Sequence, residues 1–263
     1  MAAISLLLAG LVATADEPAP LRRAHAHNDY EHERPLLDAL DRGFCSVEAD
    51  IWLGSDGKSL FVSHTPFGIK PERTLQKLYL DPLRERAKRN RGRIHAEGPP
   101  FHLLVDVKTD AKKTCARLLE VLADYADILA ATRDGKTTPG AVTVVVSGNC
   151  DRDAIRTAQT RFAGIDGRPS DLGSDAETSL IPWISASWDS QFKWRGTGAM
   201  PEAEREKLKA FVAAAHKRKR LVRFWAAPDK PEVWNELLNA DVDLINTDSL
   251  DGLQRFLKKN NTR

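Results

Sequence analysis

The chain has 263 residues, 42% of them apolar and 29% charged, with 39 basic against 37 acidic side chains and a net charge of +2. That length suits one large domain with a buried core, and so even a charge balance leaves no electrostatic footprint for nucleic acid. No apolar run reaches the roughly 18 residues of a membrane span, and three cysteines (Cys45, Cys115, Cys150) without metal-ligand spacing exclude a disulfide scaffold and a zinc site. Met1 to Ala15 carry no charge; Ile4 to Val12 are apolar, and Ala13-Thr14-Ala15 has the form of a cleavage site. This reads as an export signal cut after Ala15, despite the lack of a Lys or Arg before the apolar run. The mature chain, residues 16–263, is then secreted or periplasmic. An oxidising compartment permits one disulfide, and the sequence does not say which cysteines pair.

Short β-rich runs alternate with longer amphipathic ones. Strands are expected at Arg23–His27, Ser46–Trp52, Leu60–Ser63, Phe101–Val107, Val142–Val146, Ile181–Ser185, Leu221–Phe224 and Leu244–Asn246. Helices are expected at Arg34–Arg42, Leu75–Lys88, Lys112–Ala126, Asp151–Arg161, Glu202–Lys217, Pro231–Asn239 and Leu250–Lys259. Repeated strand–helix units predict a parallel sheet closed by crossovers, and the mature length is that of a single-domain (β/α)8 barrel, the TIM barrel. Residues 164–179 read as a loop with room for one short strand. The basic clusters Arg84–Arg93 and His216–Arg220 read as solvated surface.

The chemistry concentrates at strand ends. In Ser46–Trp52 the alternation of a strand puts Glu48 and Asp50 on one face and Val47, Ala49 and Ile51 on the other. Two inward carboxylates repel and suffer desolvation unless a cation lies between them, and a hard divalent ion suits oxygen ligands. Asp106 on the next strand supplies a third oxygen, and Lys108 on the same face can neutralise a bound anion. His27 and His64 each close a candidate strand, where barrel active sites form, and a histidine pair can serve as general acid and base. His27 is preferred to His25 as the nearer to the mouth. Arg223 and Trp225 share a face at the seventh strand and are placed to hold phosphate and stack on substrate. Asp248 is read as a helix cap.

Together these residues resemble the glycerophosphodiester phosphodiesterase-like superfamily, which includes phosphatidylinositol-specific phospholipase C and sphingomyelinase D. The pattern is His27, then Glu48-Ala49-Asp50, then His64, then Asp106-Val107-Lys108. A secreted bacterial and fungal branch is similar at His27-Asn28-Asp29-Tyr30, Ser147-Gly148-Asn149, Asp166-Gly167-Arg168, Val222–Ala226 and Asp243–Asp248. The resemblance implies a TIM barrel, one Mg²⁺ or Ca²⁺ held by Glu48, Asp50 and Asp106, and cleavage of a small-molecule or lipid-headgroup phosphodiester by His27 and His64. Asn28 stands where the typical enzymes have Arg, which leaves open how the phosphate oxygens are held; Asn28, Lys108, Arg223 and Trp225 are the expected substrate-binding residues. A non-catalytic binder of phosphorylated headgroups and a metal-dependent hydrolase of another substrate class are the rival readings. Neither headgroup, metal nor oligomeric state is legible.

Overall fold

A computed structural model describes residues 18–260; the apolar N-terminal run and its cleavage site at Ala15 lie outside them. Eight parallel strands form the barrel: β1 Leu21–Ala26, β2 Phe44–Leu53, β3 Phe101–Val107, β4 Val142–Gly148, β5 Ala163–Gly167, β6 Trp183–Ser187, β7 Leu221–Trp225 and β8 Leu244–Thr247. Each pairs with the next along the chain, and β1 pairs with both β8 and β2, which closes the sheet. The expected (β/α)8 architecture is therefore the observed one.

Two packing layers follow from the strand alternation. Val47, Ala49, Ile51, Leu103, Val105, Val107, Val144 and Val146 face outward into one continuous core beneath the helices. That core takes Leu118, Val121 and Leu122 from helix Ala111–Ala123 and Leu208, Phe211, Val212 and Ala215 from helix Glu202–His216. Inside the barrel a separate apolar cluster, Leu104, Val145, Trp183 and Leu244, fills the lower layers. Two residues further along the same strands the inward positions become Asp106, Ser147, Ser185 and Asn246. The barrel is thus apolar at its base and polar at its C-terminal mouth, the end where this architecture builds sites.

Two strand assignments differ from the sequence reading. Leu60–Val62 is outside the barrel: it runs antiparallel to β2, with Ile51 opposite Val62 and Leu53 opposite Leu60. The true fifth strand is Ala163–Gly167, at the start of the segment read as loop. Its glycines hide it, because Gly164 sits where a Cβ would lie 2.7 Å from Pro182 Cδ. Helix boundaries shift too. The helix expected over Asp151–Arg161 stops at Thr157, and Arg34–Arg42 shortens to Leu37–Leu40. Arg220 departs from the solvated reading of its cluster. It is 1% exposed and donates to the carbonyls of Asp171, Ser174 and Ala176, pinning the loop after β5.

Candidate active site

The mouth of the barrel opens into a cavity of about 310 Å³ lined by residues from five of the eight strands and by loop residues His27, Asn28, His64, Lys108 and Arg168. His27, Asn28, Glu48, Asp50, His64, Asp106, Lys108, Arg223 and Trp225, all nine residues singled out from the sequence, line it. Ser147, Asp166 and Arg168 complete the wall. A second cavity, about 440 Å³, opens at the N-terminal ends of the strands beside His102, Thr143 and Leu221, and no carboxylate among the described residues lines it.

Glu48 and Asp50 project inward from β2 as the period of two requires, and β3 pairs in register so that Asp106 lies beside Asp50. One oxygen from each of the three carboxylates lies within 4.8 Å of the others. A glycine makes this approach possible. At Gly148 (φ +67°) a Cβ would stand 2.1 Å from Asp106 Oδ1, so only glycine admits the carboxylate. Lys108 Nζ lies 3.1 Å from Asp50 Oδ2 and 3.2 Å from Asp106 Oδ1. Arg223 is 3% exposed and ion-paired to Glu48, with its Nε donating to Asn246 Oδ1 at 2.8 Å. Three carboxylates against two cations leave one negative charge at the floor of the cavity.

The carboxylates respond differently. Burial disfavours the charge on Glu48, but Arg223 and the neighbouring His25 outweigh it and hold its pKa well below the usual range. For Asp50, burial dominates the opposing pull of Lys108 and Tyr30, and the pKa is pushed up to about 6. Asp106 is raised as well, by burial against the attraction of Lys108. Asp50 Oδ1 is buried with no hydrogen-bond partner among the described residues. An orphaned carboxylate oxygen beside two further hard oxygen donors fits a divalent cation better than it fits a closed salt-bridge network.

The histidines flank this cup. His27 Nδ1 lies 2.8 Å from Asp248 Oδ1, so its N–H donates to that carboxylate and Nε2 is left for the cavity. Burial would lower the His27 pKa, but the Asp248 hydrogen bond and the charges of Glu48 and Asp248 raise it overall. His64 is reached by an unexpected route. The β2 hairpin rises above the mouth and Leu60–Val62 carries the chain back, with Ser63 N donating to Asp50 O at 3.2 Å, which leaves His64 at the rim. Its Nδ1 lies 3.1 Å from Tyr30 Oη, and the two rings stack. Tyr30 Oη also lies 2.7 Å from Asp50 Oδ2, so the tyrosine joins the histidine to the carboxylate cluster. His25 sits one layer lower, fully buried, with Nδ1 2.7 Å from Ser46 Oγ and a pKa lowered to about 3 by burial and then by Arg223. It stays neutral and is not among the residues that line the cavity.

Asn28 adopts φ +46°, a left-handed turn that asparagine tolerates, and this swings its amide to within 3.4 Å of Asp248 Oδ1. Trp225 is 42% exposed and forms part of the wall. Arg223 lines the cavity with its guanidinium paired to Glu48. A second guanidinium there is Arg168. It is half-exposed at the cavity, and its Nη1 and Nη2 are fixed by Asp166 Oδ2 at 2.7 Å and Ser147 Oγ at 3.0 Å. Asp166 is itself fully buried and accepts from Trp183 Nε1 at 2.6 Å. The sequence pattern gives no sign of these contacts of Tyr30 and Arg168, and the helix cap expected at Asp248 is not what forms: its carboxylate engages His27.

A family profile described as AIM6-like phosphodiesterase domain matches residues 17–163, and one described as glycerophosphoryl diester phosphodiesterase family matches residues 222–251. The chain is 30% identical over 285 residues to "Altered inheritance of mitochondria protein 6" of Eremothecium gossypii, covering 92% of this chain and 71% of that one. It is 28% identical to the homologue of that protein in Arthroderma benhamiae, covering 88% of this chain and 82% of that one. Among solved structures, the glycerophosphodiester phosphodiesterase of Agrobacterium tumefaciens superposes with a TM-score of 0.52 at 14% identity, over 90% of this chain and all of that one. That likeness concerns the fold.

Proposed function

The chain belongs to the AIM6-like phosphodiesterase domain family, within the glycerophosphodiester phosphodiesterase-like superfamily, and from that premise we propose that it is an exported, metal-dependent phosphodiesterase acting on glycerophosphodiesters or phospholipid headgroups. The observation that carries the reading is the joining of two histidines and three carboxylates around one cavity, with each histidine's Nδ1 already engaged. Export rests on the sequence of Met1–Ala15 alone.

Glu48, Asp50 and Asp106 are the residues that would hold Mg²⁺ or Ca²⁺, which when bound supplies Lewis-acid stabilisation of a phosphate oxygen. His27 takes the proton from the attacking hydroxyl, either the substrate's own neighbouring group or water. The Asp248 carboxylate fixes the ring tautomer and stabilises the imidazolium that results. His64, at the exposed rim, delivers a proton to the leaving alcohol, with Tyr30 holding its ring. Arg168 takes the place of the arginine absent at Asn28. Its fork is pre-set by Asp166 and Ser147 and is partly free toward solvent, so it can bind a non-bridging oxygen without reorganising. Lys108 adds positive charge beside the same phosphate. The wall offers a single large apolar side chain, Trp225, which suits a polar headgroup.

The test is a panel of glycerophosphodiesters, lysophospholipids and sphingomyelin, assayed with and without added Mg²⁺ or Ca²⁺. Cation-dependent turnover of one diester class supports the reading. Tight binding of these compounds with no product under any cation supports a non-catalytic barrel instead.

A further inference from the structure

Behind the Asp106 wall, two of the three cysteines meet. Cys115 lies in helix Ala111–Ala123 and is buried; Cys150 lies in the loop after β4 and is partly exposed. The backbone fixes their approach. Asp151 N, one peptide bond beyond Cys150, donates to Cys115 Sγ at 3.2 Å, and Asp151 Oδ1 caps the next helix by accepting from Ala154 N at 3.1 Å. Cys45 is remote from this contact; its thiol is buried and donates weakly to Gly43 O at 3.6 Å.

We infer that Cys115 and Cys150 are a disulfide-forming pair, closed by oxidation in the compartment where the protein works, and that Cys45 stays a free thiol. The bond ties the third helix-bearing segment to the loop that shapes the Asp106 seat. Gly148 and Asn149 immediately precede Cys150, and Asn149 N donates to Val107 O at 2.8 Å. The chemistry is ordinary thiol–disulfide exchange with an oxidised dithiol or glutathione disulfide as oxidant. Cys150, the accessible thiol, loses its proton and attacks one sulfur of the oxidant, releasing one thiolate and leaving a mixed disulfide. Cys115 then loses its proton and attacks Cys150 Sγ, displacing the second thiolate. Two protons pass to the two thiolates released, the protein is oxidised by two electrons and the oxidant is reduced by two. Cys115 suits the second step. The backbone N–H of Asp151, one peptide bond beyond Cys150, already donates to its Sγ at 3.2 Å, so the thiol stands beside the sulfur it must attack.

The inference does not depend on the phosphodiesterase reading. The purified full chain is incubated in glutathione disulfide, quenched with acid, denatured, alkylated and mapped by mass spectrometry, with a reduced control. The expected result is a cross-linked peptide pair containing Cys115 and Cys150, lighter by two hydrogens than the two reduced peptides, with Cys45 alkylated. Thermal unfolding should shift upward on oxidation in the parent, and the shift should vanish in both Cys115→Ser and Cys150→Ser. Three alkylated cysteines after oxidation, or a glutathione adduct on Cys150 that Cys115 never displaces, would overturn the inference. A cross-link to Cys45 would overturn it equally.

Discussion

His27 and His64 reach the same cavity from opposite constraints: one is half-buried against a carboxylate, the other is exposed, with Tyr30 Oη 3.1 Å and Asp50 Oδ2 3.8 Å from its Nδ1. On the proposed reading, that asymmetry gives His27 the base's part and His64 the acid's. General acid–base assistance is typically worth about 10²–10⁴ in rate, so His27→Ala and His64→Ala should each lose that much on a natural diester. A nitrophenyl ester needs no protonation of its leaving group. It should restore His64→Ala to near the parent rate and leave His27→Ala slow; rescue of His27→Ala instead would reverse the assignment. Asp248→Asn tests the dyad through pH. A base works when neutral, so the rate climbs as pH rises through the His27 pKa, and that pKa is held up by the Asp248 hydrogen bond and charge. The rising limb of kcat/KM should move to lower pH in the variant, with a smaller loss at the plateau than in His27→Ala. An unmoved limb would show that His27 is not the titrating base. Glu48, Asp50 and Asp106 were legible because strand alternation and charge repulsion act on neighbouring residues. Asp248 and Tyr30 were not, because what defines them is a partner some 220 and 20 residues away in the chain.

Among the elements, the turn after β4 and the turn after β1 carry the most constraint. Gly148→Ala should push the Asp106 carboxylate aside and strain a left-handed residue, at a cost of about 1–3 kcal/mol. Calorimetry should show a lower midpoint, and cation-dependent turnover should fall further than stability explains; unchanged turnover would mean that the seat of Asp106 is not that tight. The turn after β1 hangs on Asp29, fully buried, whose Oδ2 accepts from Leu36 N at 2.5 Å and from Tyr79 Oη at 2.9 Å while Oδ1 has no partner among the described residues. Burial outweighs those two bonds and raises its pKa to about 7. A carboxyl whose folded pKa lies above its unfolded value near 3.9 adds stability that is complete below that value and is lost as pH rises toward 7. Asp29→Asn should therefore flatten the decline in unfolding free energy between about pH 4 and pH 7, removing on the order of a few kcal/mol of decline across that span. An equal decline in parent and variant would assign the pH dependence elsewhere. Seven of the eight barrel strands were visible as β-branched or apolar runs of period two. The eighth, Ala163–Gly167, was not, because two of its five residues are glycines chosen for close approach to the following segment. The Leu60–Val62 run shows the converse. Its pattern is a genuine strand signal, but pattern does not encode direction, and a short hairpin turns it antiparallel.

At the scale of the whole molecule, the barrel separates stability from chemistry along its axis. Leu104, Val145, Trp183 and Leu244 close the base, while the charged residues collect at the mouth, so substitutions that abolish turnover there should leave folding intact. The proposed export has its own readout: mass spectrometry of the protein recovered outside the cytosol of its native host should find Asp16 as the first residue, and intact Met1 on cytosolic protein would contradict it. The central claim is that three carboxylates hold a cation that the diester chemistry requires. The most direct measurement is the initial rate of diester hydrolysis by the purified protein, stripped with chelator and titrated with Mg²⁺ or Ca²⁺, beside the isosteric Glu48→Gln variant. No turnover is expected after chelation, with saturable recovery in the parent and no recovery in a folded Glu48→Gln protein. Full activity in the chelated parent, or in Glu48→Gln, would contradict it.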